Sequence, residues 1–201
     1  MRFDTPFDDV FLNRSHVRVL RALHRMPAGL AASGRELARR AGVTHPTALK
    51  ALALLATVGV VTATRGIAGD AYELNRDHML FEALTALLAA ERDAERELLS
   101  FLQKGLRPVI GKLAAATVFG SVVWGEAAPG SDIDLAVSCA PGDRDDVEAA
   151  LESLGDAVRR RFGNRLGVLV DSRKSRRSTG IWKRIDAEGI PLVRSGKAVA
   201  R

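Results

Sequence analysis

Apolar residues recur at helical spacing through the first third of the chain and then give way to short alternating runs. Val17, Leu20 and Leu23 mark a first helix, HVRVLRALHRM, capped by Ser15 and stopped by Pro27 and Gly29. Ser33 precedes a second helix, GRELARRAGV, that ends near Gly42. Thr44 is a good cap for a third, HPTALKALALLATVG, with Pro46 tolerated in its first turn and Gly59 at its stop. VVTATR and AYELN flank GIAGD as a hairpin. Residues 76–105 form one long helical pattern in which Leu80, Leu84, Leu87 and Leu88, then Leu98, Leu99 and Leu102, make an apolar stripe. Beyond it, strand-like runs at 116–119, 133–137 and 166–170 alternate with a helix over 142–163, and RSTGIWKRIDAEGI and IPLVR read as a terminal helix and an edge strand. The class is α+β, with residues 1–75, 76–105 and 106–201 as three successive parts.

Composition narrows the class. With 201 residues, 47% of them hydrophobic, the chain has material for two small cores, which excludes disorder and collagen. The single Cys139 excludes a disulfide scaffold and a cysteine zinc site, and favours a reducing compartment. No apolar run reaches the roughly 18 residues that span a bilayer, and the opening MRFDTPFDDVF is acidic where a signal peptide is basic. A cytoplasmic protein without membrane contact is expected. The net charge of +6 is unevenly spread: residues 1–75 carry +4, 76–113 carry 0, 114–156 carry −8 and 157–201 carry +10. Basic segments suit phosphates, and an acidic block suits cations.

Helix, helix, a tight turn at 41–44, helix and hairpin is the order of a winged helix-turn-helix. Through Glu36-Leu37-Ala38, Val43-Thr44, Leu52, Leu55 and Gly59-Val60-Val61, residues 10–75 resemble the MarR/ArsR-like winged-helix regulators. A third helix with small and polar residues at its start can enter a major groove roughly 12 Å wide. Thr44, His45, Thr47 and Lys50 are the candidates for that face, and Arg65 in the wing for a phosphate or the minor groove. Leu49 and Leu54 leave the same helix apolar on more than one side, which also fits a helix buried against a partner domain, the reading second to DNA contact. The long helix that follows suits packing or a homodimer surface.

The acidic block holds the most informative stretch. Ala116 to Phe119 runs as strand into Gly120-Ser121, and ten residues later Ser131 leads into Asp132-Ile133-Asp134 and a second strand. Side chains alternate along a strand, so Asp132 and Asp134 share a face. Paired carboxylates repel unless a cation lies between them, and Mg²⁺ combines one or two carboxylates with phosphate oxygens. Glycine lets backbone N–H groups approach an anion, and the serine hydroxyl adds a donor. A phosphate cradle beside a carboxylate pair is what in-line nucleotidyl transfer requires.

Phe119-Gly120-Ser121 followed by Asp132-Ile133-Asp134 resembles the hallmark of the minimal nucleotidyltransferases of the polymerase-β-like superfamily, over about residues 106–195. That resemblance implies a mixed sheet with flanking helices and Mg²⁺-dependent (or Mn²⁺-dependent) transfer of a nucleoside monophosphate from an NTP, ATP foremost, to a hydroxyl of a protein, RNA or small molecule. It places Asp132 and Asp134 at the metal and in catalysis, and Gly120, Ser121 and Ser131 at the nucleotide. The family's third carboxylate, on a later strand, is not matched: Gly167 stands near the expected place, and Asp171 at the strand's far end is a displaced candidate or a turn residue. Two readings stay open, an active transferase in an autoregulated toxin–antitoxin-type component, and a regulator whose nucleotidyltransferase fold only senses nucleotide or oligomerises. Arg159-Arg160-Arg161 and the run 172–178 are either a solvated helix face and loop or cationic contacts to phosphate, and Trp182 is read as packing ahead of base stacking.

Overall fold

A computed structural model describes residues 10–67, 69–128, 130–171 and 180–199, so the cationic run 172–178 lies outside the described residues. The chain divides into two units, 1–93 and 94–201.

In the first unit, α1 (Arg14–His24), α2 (Gly34–Ala41) and α3 (His45–Thr57) precede the strands β2 (Val61–Thr64) and β3 (Ala71–Leu74). The cap of α1 is Asn13, two residues earlier than Ser15, because the Asn13 side chain accepts from both Ser15 N and His16 N. The shifted start also changes the inward face: His16, Val19, Leu20 and Leu23 are buried, whereas Val17 is only partly so. Ser33 caps α2 and Thr44 caps α3, with Pro46 in the first turn, as their sequences require. A two-residue strand, β1 (Ala32–Ser33), joins the hairpin in the order β1-β3-β2, which periodicity could not have revealed in so short a segment. Leu37, Leu52 and Leu55 are fully buried and form the core with Val60, Leu80 and Leu84.

The long helix, α4 (Phe81–Gly105), starts five residues later than the pattern suggests. His78 explains the delay. Its ring Nε2 donates to Val58 O at 3.2 Å and its Nδ1 accepts from Leu80 N at 3.2 Å, holding 76–80 in turns against the end of α3. Leu87 is exposed, so the stripe is narrower than four leucines.

The second unit is a five-stranded sheet in the order β6-β5-β4-β7-β8, built from β4 (Leu113–Phe119), β5 (Ile133–Cys139), β6 (Leu166–Asp171), β7 (Ile190–Arg194) and β8 (Lys197–Ala198). Only β5 and β6 are parallel, and α6 (Arg144–Phe162) makes the crossover between them. β7 is an inner strand, because β8 pairs along its outer side. Ile133, Leu135 and Val137 face a core filled by Leu98, Leu99 and Leu102 of α4 and by Val147, Leu151, Leu154 and Val158 of α6. The other sheet face carries Asp134 and Ala136. α7 (Gly180–Glu188) covers it, with Trp182 and Ile185 packed on Ala136, Phe119 and Leu169.

Candidate functional sites

The end of β4 delivers Gly120 in a conformation with φ 79° and ψ −158°, a region open essentially to glycine alone. The chain then turns once as α5 (Ser121–Trp124), with Val123 N and Trp124 N donating to Gly120 O at 3.0 and 3.1 Å. Close approach fixes the glycine as firmly as its backbone does: a Cβ there would stand 2.1 Å from Asp134 Oδ2.

Asp134 pairs in register with Phe119 on one side and Gly167 on the other. A Cβ at position 167 would lie 2.9 Å from Asp134 Oδ1 and 3.8 Å from the Cβ of Asp132. Both oxygens of Asp134 therefore sit against glycines, and both aspartates border position 167. Burial raises the Asp134 carboxyl above its ordinary value, and the Asp132 charge adds to the shift. Asp132 itself is exposed, immediately before β5. A divalent cation between them would relieve the repulsion, and the chemistry of the donors fits a hard ion that completes its shell from water or phosphate oxygens. Among the described residues no group of three His, Cys, Asp or Glu side chains gathers to hold a metal alone.

The structure thus brings Gly120, Ser121, Asp132 and Asp134 together. It does not bring Asp171 to them: that residue pairs with Ser138, four positions along β6 from Gly167 and about 13 Å away at 3.3 Å per residue. Ser131 serves the loop's geometry. Its hydroxyl accepts from Ala128 N at 2.9 Å, its own N–H donates to Ala128 O at 3.0 Å, and its carbonyl accepts from Asn164 Nδ2 at 2.9 Å. Asn164, a positioning residue that sequence reasoning missed, has no local motif; only the fold brings it to the loop. Of the Arg159–Arg161 cluster, Arg161 is engaged with Glu97 and lies over the rings of Phe101 and Phe162.

In the first unit, Thr44 and Lys50 are exposed at the start of α3, with His45 and Thr47 partly so, and Arg65 is exposed after β2. The Thr44 and Thr47 hydroxyls also bond each other at 2.8 Å while capping the helix. Leu49 and Leu54 are exposed at 37% and 44%, about 140° apart around the same helix. A groove of about 410 Å³ between α1 and α2 is lined by Arg18, Arg21, Arg25, Arg39 and Arg40. Arg21 pairs with Glu91, and Arg39 and Arg40 pair with Glu36.

Comparison with family models matches residues 12–68 to the MarR family and residues 96–175 to the nucleotidyltransferase domain, in that order along the chain. No curated protein and no solved structure gives a significant match.

Proposed function

We propose that this chain, which joins a MarR-family domain to a nucleotidyltransferase domain, binds an NTP with a divalent cation and transfers the nucleoside monophosphate to a hydroxyl acceptor, under a winged helix that binds DNA. The observation that carries the reading is the carboxylate of Asp134, boxed between Gly120 and Gly167 with Asp132 beside it. Asp132 and Asp134 would hold Mg²⁺ or Mn²⁺, which when bound supplies charge neutralisation at the phosphates. Gly120 and Ser121 orient the phosphates through backbone N–H groups and the serine hydroxyl. Asn164 and Ser131 fix the loop that carries Asp132. DNA binding would use Lys50, His45, Thr47, Thr44 and Arg65, in a cytoplasmic protein that regulates its own gene.

Labelled NTPs incubated with the protein, Mg²⁺ and cell lysate test the reaction. Pyrophosphate and a labelled product are expected with the wild type and not with Asp132→Ala/Asp134→Ala. Binding of NTP without any pyrophosphate release would establish the second reading, a silent nucleotide sensor, which glycine at position 167 beside both aspartates favours. On the DNA side, affinity for the upstream region of its own gene is expected to fall steeply with salt and to drop on Lys50→Ala. Binding indifferent to salt would instead assign α3, with exposed Leu49 and Leu54, to a protein partner.

A further inference from the structure

Of the two tryptophans, Trp182 is buried in the packing of α7 on the sheet, whereas Trp124 is 36% exposed. Trp124 closes the single turn of α5, its N–H bonded to Gly120 O, so its backbone lies one helical turn from the phosphate cradle. Arg184 reaches it from α7, the helix covering the sheet face that bears Asp134, and sets its guanidinium 3.9 Å from the centroid of the ring. Glu188 steers that guanidinium by accepting from Arg184 Nε at 2.9 Å. An exposed indole is thereby held in one plane, with a cation on one face. Neither residue belongs to the Gly-Ser or Asp-x-Asp motifs.

We propose that Trp124 and Arg184 form the platform on which the nucleobase of the bound nucleotide stacks. The inference rests on the nucleotide-site reading above. Flat aromatic and guanidinium surfaces accept any base through its π-face, and a ring already pinned by an arginine loses little freedom when a base lands on it. The carboxylate pair and the Gly-Ser turn recognise only phosphates and cation, so a base contact is the missing part of a nucleotide site. Trp124 and Arg184 supply it from the two elements flanking the carboxylates.

The test compares ATP with inorganic tripolyphosphate, each with Mg²⁺, by calorimetry on the full chain. Trp124→Ala is expected to weaken ATP about tenfold and leave tripolyphosphate unchanged. Trp124→Phe retains a stacking ring and is expected to restore most of the ATP affinity while abolishing the ATP-induced quenching of tryptophan fluorescence that the platform predicts for the wild type. Arg184→Ala should weaken ATP in the same selective way. Thermal melts of each variant establish that the fold is intact. Equal loss for both ligands, or no loss for either, overturns the platform while leaving the nucleotide site standing. A wild type that binds neither ligand overturns the nucleotide-site reading itself.

Discussion

At the scale of single residues, two glycines and a carboxylate define the candidate site. Gly120 is held in a backbone region that costs other residues about 1–3 kcal/mol, and its missing Cβ is the space that Asp134 Oδ2 fills. Gly120→Ala is therefore expected to lower stability by about that amount and to displace the carboxylate, abolishing Mg²⁺-dependent NTP binding in a calorimetric titration. Asp134 acts in the opposite direction on stability. Its folded value is raised by burial and by Asp132, so its stabilising contribution is complete below the unfolded value of about 3.9 and is lost as pH rises through the folded one. At neutral pH the metal-free protein consequently carries an unfavourable charge. Asp134→Asn should raise the melting temperature at pH 7 in EDTA, leave it unchanged near pH 3, and eliminate stabilisation by Mg²⁺. A lower melting temperature at pH 7 would mean that the charge is satisfied by groups other than a cation.

At the scale of elements, the parts that were legible in the sequence are those determined locally. Ser33 and Thr44 cap their helices because a cap needs only the next three residues. Gly120-Ser121 and Asp132-Ile133-Asp134 could be read because strand alternation places the aspartates on one face. What escaped depends on pairing across the chain. Only the β5–β6 register puts Gly167 against Asp134 and Asp171 against Ser138, and only folding brings Arg184 to Trp124 or Asn164 to Ser131. α1 is instructive because both kinds of information meet there. Its sequence reads as capped by Ser15, whereas the folded chain is capped by Asn13 and holds His16 inward, 2% exposed. Asn13 Oδ1 can only accept, so Nδ1 of His16 carries the proton, and the buried Nε2 has no partner among the described residues. Burial lowers the imidazole below its ordinary value. Its contribution is then full above the unfolded value of about 6.5 and is lost as pH falls towards the folded one. The first unit should melt at progressively lower temperature between about pH 7 and pH 5, and His16→Leu should flatten that slope. A slope that persists in the variant would assign it to other groups.

At the scale of the whole molecule, the net charge of +6 conceals an acidic block of −8 that contains both site aspartates, set among basic segments. The same chain shares one helix between two cores. Leu80, just before α4, and Leu84 within it are buried with Leu20, Leu52 and Val60, whereas Leu98, Leu99 and Leu102 of α4 are buried with the strands of the sheet. A boundary drawn where the winged-helix pattern ends, near residue 75, would remove Leu80 and Leu84 from the first core. Burying a leucine contributes about 1.5–3 kcal/mol, so the pair is worth about 3–6 kcal/mol. Domains of this size have total stabilities of about 5–15 kcal/mol, so the loss is comparable to what holds the fold together. It would also remove His78, whose ring ties the chain to the end of α3. A fragment ending at residue 93 should therefore unfold cooperatively, with a protected core in hydrogen exchange. One ending at residue 75 should be largely unfolded or melt far below it. Equal stability of the two fragments would show that the first half of α4 is dispensable to the winged helix and would move the working boundary back to residue 75.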